Sequence, residues 1–222
     1  MYKGYTLNEP DNPTPKPGEY PDDVVEAATK QREKIAKVEA EITKLLIDLA
    51  DKNKAQMEGL DYRMKALKSL MRKIAAEKDS EHGGDAQKAA EAMSDVVRYT
   101  MSYEPEDYVA GVKDVIAQMQ KLGYELRVKN YWEADDPYQG INVAAIHPNG
   151  TKFELQFHTP QSVADKEKIH AIYEDYRTET NYLKRLVMYQ KMVNLANKIG
   201  IPIPPDELMK IGIVKTQPFT RS

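Results

Sequence analysis

The chain has 222 residues, of which 41% are hydrophobic and 30% are charged, and its formal net charge is −3. This composition indicates a globular protein with one domain of ordinary size, with or without helical extensions, rather than a disordered chain. A charge so near balance gives no overall electrostatic case for nucleic-acid binding, so an anion-binding surface has to be a local cluster. The absence of cysteine excludes disulfides, zinc–thiolate sites and a cysteine nucleophile.

The first segment, residues 1–21, is rich in proline among polar residues, which is typical of an extended leader or linker. From Pro21 the pattern becomes helical, with acidic residues in the first turn. Apolar residues then recur at helical spacing to about residue 50. We interpret residues 22–54 as an N-terminal helical arm that packs or dimerises.

A second helix is predicted over about 55–77, and its surface is basic. One broad stripe of this helix holds Lys65, Lys68, Ser69, Arg72 and Lys73. Clustered cations offset part of the charge of a nucleoside triphosphate, so the stripe favours a phosphate site. A solvated basic face is the alternative interpretation.

The middle of the chain alternates helices and strands. We predict helices over about 85–94 and 106–122, and strands at 96–101, 124–129, 140–147 and 152–159. Pro148-Asn149-Gly150 is predicted as the hairpin turn between the last two strands. Helices follow over about 162–178 and 180–198, with a short one near 206–209. This order predicts an α+β or α/β core of four or five strands.

The segment 152–159 alternates like a half-buried strand. Phe153, Leu155 and Phe157 fall on one face, and the other face carries Glu154, Gln156 and His158. A strand that floors a polar cleft needs such a row of carboxylate, amide and imidazole. A half-exposed strand with mixed polar residues is the alternative.

Two further residues are candidates for a functional site that includes this strand. Asp95 stands at the entrance of the strand 96–101, and paired with Glu154 from a neighbouring strand it can supply the two carboxylates of an Mg²⁺ site. Tyr138 stands just before a strand, where its ring can stack on a base. A structural tyrosine is the alternative at that position.

Four segments in this order resemble the synthetase domain of the RelA/SpoT-type nucleotide pyrophosphokinases, the alarmone synthetases. Arg63-Met-Lys65-Ala-Leu-Lys-Ser69-Leu-Met-Arg-Lys73 is similar to the family's Arg-x-Lys-(x3)-Ser-(x3)-Lys ATP-binding helix. Ser94-Asp95-Val-Val-Arg98 resembles its metal-binding aspartate segment, and Tyr138-Gln-Gly-Ile-Asn142 sits where the family has Gly-Tyr-x-Ser-x-His. Glu154-Leu-Gln156-Phe-His158-Thr159 resembles its Glu-Ile-Gln-Ile-Arg-Thr strand. The match covers residues 55–178, the predicted synthetase domain, and leaves 179–222 as a C-terminal helical extension and tail.

The resemblance implies an α+β, nucleotidyltransferase-like fold, in which a mixed sheet of four to five strands is flanked by helices and carries helical N- and C-terminal extensions. It implies Mg²⁺-dependent transfer of the β,γ-pyrophosphate of ATP to the ribose 3′-hydroxyl of a purine nucleotide, as in (p)ppGpp- or (p)ppApp-type alarmone synthesis. The implied ATP-binding residues are Arg63, Lys65, Ser69, Arg72 and Lys73. Asp95 and Glu154 would be catalytic and hold the metal. The implied acceptor residues are Tyr138, stacking on the base, with Asn142, Gln156, His158 and Lys129.

On the acceptor side, Asn142, His158 and Pro137 stand where the family has histidine, arginine and glycine. This variant looks similar to a divergent branch found in phage structural polyproteins and secreted polymorphic toxins. The branch implies a soluble toxin with no membrane partner that acts in the cytoplasm after delivery, and an immunity protein or a second copy as partner. Pyrophosphorylation of the tRNA 3′ end is one alternative function. A catalytically silent packing module of a phage or secretion system is another, although the presence of both carboxylates argues against it.

Overall fold

The computed structural model of the chain describes residues 15–132 and 138–196. Its helices are α1 (Asp22–Lys52), α2 (Leu67–Glu81), α3 (Ala86–Ala92), α4 (Pro105–Lys121), α5 (Pro160–Thr178) and α6 (Tyr182–Ala196). Its strands are β1 (Gln56–Glu58), β2 (Arg98–Ser102), β3 (Glu125–Asn130), β4 (Ile141–Ile146) and β5 (Lys152–His158). Most of the predicted leader, the helix predicted near 206–209 and the tail lie outside the described residues.

The five strands form one sheet in the order β1-β2-β5-β4-β3. Strand β5 lies at the centre, parallel to β2 and antiparallel to β4, and the two edge strands are antiparallel to their neighbours. The predicted α+β class and mixed sheet of four to five strands flanked by helices are therefore confirmed.

Strict alternation along the strands separates an apolar face from a polar face. Tyr99, Leu155 and Val143 are register partners across the three central strands, and all three are buried. The apolar face continues through Met101, Phe153, Phe157, Ile141, Ala145 and Val128. Because side chains alternate along each strand, the residues between these positions share the opposite face.

Helix α1 belongs to the core of the domain. It packs against α2 and α3, and its buried stripe includes Ile35, Ile42 and Leu46, each 0% exposed. These residues form one continuous hydrophobic cluster with α2, α3, α4 and the apolar face of the sheet. The segment 22–54, interpreted from the sequence as an arm beside the synthetase domain, thus shares the core of that domain.

The helix predicted over 55–77 is wrong in its first half. Strand β1 and a 3₁₀ turn at Leu60–Tyr62 occupy that stretch, and Gly59 between them has φ +59°. Met64 forms an isolated antiparallel bridge with Val97, and α2 begins only at Leu67. Pairing with β2 decides this conformation, and helical periodicity does not report such a tertiary interaction.

Helices α5 and α6, which follow the last strand in the chain, pack against each other. Thr159 caps the start of α5 by accepting a hydrogen bond from the backbone N–H of Ser162. The Arg185 guanidinium of α6 lies 4.7 Å from the ring centroid of Tyr176 on α5. Within the described ranges, none of the helices has the length and apolar character needed to cross a membrane.

Candidate active site

The polar face of the sheet gathers the side chains that the sequence singled out on β4 and β5. Strand register places Arg98 beside Glu154, Thr100 beside Gln156, and Ser102 beside His158. On the other side of β5, Asn142 is the register partner of Gln156, and Lys129 that of Asn142. One row across the sheet therefore reads Thr100, Gln156, Asn142, Lys129. The predicted acceptor residues on strands share one surface.

Glu154 lies in a short chain of hydrogen bonds on this face. The Gln156 amide donates from Nε2 to Glu154 Oε1 at 2.6 Å. Lys166, from the second turn of α5, donates from Nζ to Gln156 Oε1, also at 2.6 Å. The amide is thereby oriented from both ends, and it fixes one oxygen of the Glu154 carboxylate.

Asp95 lies in the turn before β2 and is held by two lysines. Lys65 Nζ contacts its Oδ2 and Lys73 Nζ contacts its Oδ1, each at 3.0 Å. Burial disfavours the Asp95 carboxylate, but the two ammonium groups outweigh burial and hold the pKa of Asp95 below its ordinary value. Both lysines therefore converge on one anion at the end of the sheet where β2 begins.

Lys73 contacts Asp95 and is influenced by the charge of Glu154. Burial on its own lowers the pKa of Lys73, yet the negative charges of Asp95, Glu77 and Glu154 outweigh it and raise that pKa above its ordinary value. Glu154 is thus within electrostatic reach of the ammonium group that binds Asp95. Strands β2 and β5 are adjacent, as predicted, and the backbone N–H of Glu154 donates to Val97 O at 3.0 Å.

The other predicted ATP residues differ in their surroundings. Ser69 is half-buried and Arg72 is exposed on α2. Lys68, on the same stripe, is paired with Glu19 at 2.6 Å. Arg63 lies before α2 and is buried, and its guanidinium donates to the Glu39 carboxylate on α1 and to Leu60 O. The cations of the motif that meet Asp95 are Lys65 and Lys73.

Tyr138 lies at the other end of the polar face, and its hydroxyl lies between two other residues of the predicted acceptor set. It donates to Asn142 Oδ1, and its oxygen is 2.9 Å from His158 Nε2. Burial, followed by the charge of Glu154, raises the pKa of Tyr138 well above its ordinary value, so the phenol stays protonated. The ring meets the rings of Tyr131 and His158 edge-on, at 5.2 and 5.3 Å between centroids.

His158 is fully buried below this tyrosine. Its Nδ1 lies 3.0 Å from Ser162 Oγ at the start of α5. Burial, with smaller contributions from Lys166 and Arg98, lowers the pKa of His158 to about 3. The imidazole is therefore neutral at physiological pH. A Cβ at Gly140 would lie 2.7 Å from His158 Cε1, so only glycine permits this close approach.

This architecture matches solved structures although the sequence alone finds no relative. No model of a known protein family matches the chain, and no curated protein matches it. The type VI effector Tas1, solved in complex with its immunity protein, superposes with a TM-score of 0.54 at 17% identity, over 78% of this chain and 96% of that chain. The small alarmone synthetase 1 from Bacillus subtilis superposes with a TM-score of 0.50 at 12% identity, over 77% and 92%.

The chain has an alarmone-synthetase-like fold. At these identities the likeness establishes the fold, and the chemistry has to be argued from the residues. On this sheet, the sequence analysis missed Lys166 and named Arg98 only as the last residue of the aspartate segment. The alternation of polar residues at 98, 100 and 102 is a signal that could have indicated Arg98. Lys166 carries a weaker signal, which is its place two turns after the end of β5.

The described residues offer two carboxylates that could hold a metal ion. Within residues 15–132 and 138–196, no cluster of three or more His, Asp or Glu side chains could hold a metal ion. Asp95 and Glu154 provide two carboxylates, and Mg²⁺ favours one or two carboxylates together with phosphate oxygens and water. The donor set therefore fits an ion that arrives with a nucleotide, and the sharing of one Mg²⁺ by these two residues stays a prediction.

Proposed function

We propose that the chain transfers the pyrophosphate of ATP to the ribose 3′-hydroxyl of a purine nucleotide. The observation that carries this proposal is the arrangement of Asp95 and Glu154 around the Lys73 ammonium group at one end of the polar face. Phosphoryl-type transfer depends mainly on positioning and on offsetting negative charge, and this end of the site offers cations beside carboxylates. The shared fold of a small alarmone synthetase supports the same reaction class.

In the proposed reaction, Lys65 and Lys73 bind the ATP phosphates, with Ser69 and Arg72 beside them on α2. Each ammonium group has three N–H donors, so each can bind a phosphate oxygen and retain Asp95. Asp95 and Glu154 would hold Mg²⁺, which supplies further positive charge to the phosphate oxygens when bound.

Glu154 acts as the general base. It accepts the proton of the acceptor 3′-hydroxyl, and the resulting oxygen bonds to the β-phosphorus of ATP. The bond from the β-phosphorus to the oxygen that bridges it to the α-phosphorus breaks. AMP leaves with that oxygen, and the acceptor carries the pyrophosphate. Gln156, held by Lys166, orients the carboxylate for this step.

Tyr138 stacks on the acceptor base in this proposal, Asn142 and Lys129 line the acceptor pocket, and the buried Gln156 and His158 form the layer beneath them. A neutral His158 cannot offset phosphate charge, so Lys129, half-buried on β3, is the residue of the set that would meet acceptor phosphates. Action as a delivered toxin with an immunity partner is a further part of the proposal, supported by the fold shared with the effector Tas1.

The test is transfer of label from γ-labelled ATP with the pure protein and Mg²⁺. GDP, GTP, adenine nucleotides and deacylated tRNA are offered separately, and AMP release is measured beside label transfer. We expect AMP release that depends on a purine nucleotide, and no release by Glu154→Gln. Label on tRNA alone would redirect the proposal to the tRNA 3′ end. Absence of AMP release with every acceptor would overturn it in favour of a silent module.

A further inference from the structure

A buried ion pair joins the N-terminal helix to the segment that carries Lys65. Arg63 Nε donates to the Glu39 carboxylate of α1, and the two side chains are only 4% and 11% exposed. Arg63 Nη1 donates to Leu60 O at 2.7 Å. A buried pair of this kind is costly to break from one side, because the remaining charge is left without its partner.

Glu39 is itself held in place by two elements. Thr43, one turn later on α1, donates its hydroxyl to the Glu39 carboxylate. Thr43 Oγ1 lies 2.8 Å from the hydroxyl of Tyr99 on β2, and that hydroxyl donates to Glu39 O at 3.3 Å. The carboxylate that receives Arg63 is therefore fixed relative to the central sheet.

The backbone at Arg63 is paired with the entrance of β2. Arg98 N donates to Arg63 O at 2.8 Å, and Lys65 N donates to Val96 O at 2.9 Å. Met64 and Val97 form the bridge between these two bonds. This pairing brings Lys65 alongside the turn that contains Asp95, where the 3.0 Å contact between Lys65 and Asp95 forms.

We propose that Glu39 and Arg63 are positioning residues for the ATP site. Their buried pair holds the backbone of residues 63–65 against β2, which keeps Lys65 at Asp95, and Arg63 acts through this backbone instead of contacting phosphate. The inference rests on the proposed function for its effect on ATP, and it makes α1 a part of the donor site.

The experiment compares Glu39→Gln, Arg63→Met and the milder Thr43→Val with Glu33→Gln, an exposed position on the same helix. For each variant, melting temperature, KM for ATP, KM for the acceptor and hydrogen exchange of the Lys65 and Arg98 amides are measured. We expect the first two variants to raise KM for ATP about tenfold or more, with KM for the acceptor within about twofold. Thr43→Val should raise KM for ATP by a few-fold, and Glu33→Gln should match the wild type.

The outcomes separate three roles of Arg63. A direct phosphate ligand requires Arg63→Met to weaken ATP while Glu39→Gln leaves it unchanged or tighter, and that result overturns the inference. A merely structural pair requires both KM values and kcat to change in proportion to the loss of melting temperature, and that also overturns it. If the wild type neither binds ATP nor releases AMP, the proposed function fails. Amide exchange then decides alone: faster exchange of Lys65 and Arg98 in Glu39→Gln and Thr43→Val supports the positioning role, and unchanged exchange refutes it.

Discussion

Arg98 on β2 and Glu154 on β5 are register partners in parallel strands, so a cation and a carboxylate leave the sheet side by side on its polar face. Lys73 of α2 lies near enough for the charge of Glu154 to contribute to the raised pKa of that lysine. Glu154 therefore lies between cations of two different elements, beside the turn that carries Asp95. This position makes Glu154 the residue whose replacement distinguishes catalysis from binding.

Glu154→Gln should lower kcat by about 10²-fold or more while leaving nucleotide binding largely intact, since the change removes charge and basicity but little volume. The amide oxygen of the new side chain can still accept from Gln156, so the local hydrogen bonding is retained. Turnover by AMP release and binding by calorimetry measure the two effects. Glu125→Gln, at an exposed edge position, is the matched control. Wild-type turnover in Glu154→Gln would exclude the assigned role.

Lys73→Ala should weaken ATP binding by about 1.5–3 kcal/mol, the usual loss for one charge-assisted phosphate contact. Arg72→Ala, one residue earlier on the same helix, should lose less, because Arg72 is exposed and Lys73 is half-buried beside Asp95. Affinities for ATP with Mg²⁺ are compared by titration. Equal losses in the two variants would indicate a diffuse basic surface, and no loss in either would return α2 to a solvated face.

Tyr138→Ala should weaken binding of the acceptor nucleotide by about 1–3 kcal/mol if the ring stacks on a base. Tyr138→Phe should keep most of that interaction, since stacking needs the ring. The structure adds a second expectation, because the hydroxyl lies between Asn142 and His158. Losing the hydroxyl leaves the buried His158 Nε2 and the half-buried Asn142 Oδ1 without that hydrogen bond, so Tyr138→Phe should cost about 1–3 kcal/mol of unfolding free energy. A structural tyrosine would instead show loss of every activity together with stability in Tyr138→Ala, and acceptor KM with chemical unfolding decides between the roles.

The stability of the protein should fall between pH 6.5 and 5, because His158 binds a proton far less well when folded. Its pKa is lowered to about 3 in the fold, whereas an unfolded histidine titrates near 6.5. The unfolded state therefore takes up more protons as the pH falls, with a slope of up to about 1.4 kcal/mol per pH unit. Asp95, whose pKa is also lowered, changes the stability little above pH 5, because an unfolded aspartate titrates near 3.9. Above pH 5, the free energy of unfolding from urea titrations should depend less on pH in His158→Gln than in the wild type. An equal pH dependence in the two proteins would refute a buried neutral imidazole.

The sequence predicted the four longer strands well because alternation is a local signal, whereas the short β1 was predicted as helix. The faces of β5 follow directly from the order of Phe153, Glu154, Leu155 and Gln156. Motif order then predicted that β2 and β5 are adjacent, although 56 residues separate Thr100 from Gln156. Periodicity also predicted α1, since its apolar residues follow one stripe.

What could not be predicted depends on tertiary pairing. The environment of Arg63 is set by Glu39 on α1, and a motif cannot report which partner a guanidinium meets. Helix α2 begins at Leu67, later than predicted, because the preceding residues pair with the start of β2. Lys166 reaches Gln156 across the turn into α5, and only the fold brings the two together.

The place of β5 in the sheet has a consequence for the order of folding. It is the last strand in the described part of the chain, yet it lies between β2 and β4. Within the sheet, the β1–β2 pair and the β3–β4 pair are joined only through β5. Contacts over such sequence separations form slowly because loop-closure entropy comes first. A nascent chain that ends before β5 therefore lacks the strand that joins these two pairs, and with it Glu154, Gln156 and His158 of the candidate site.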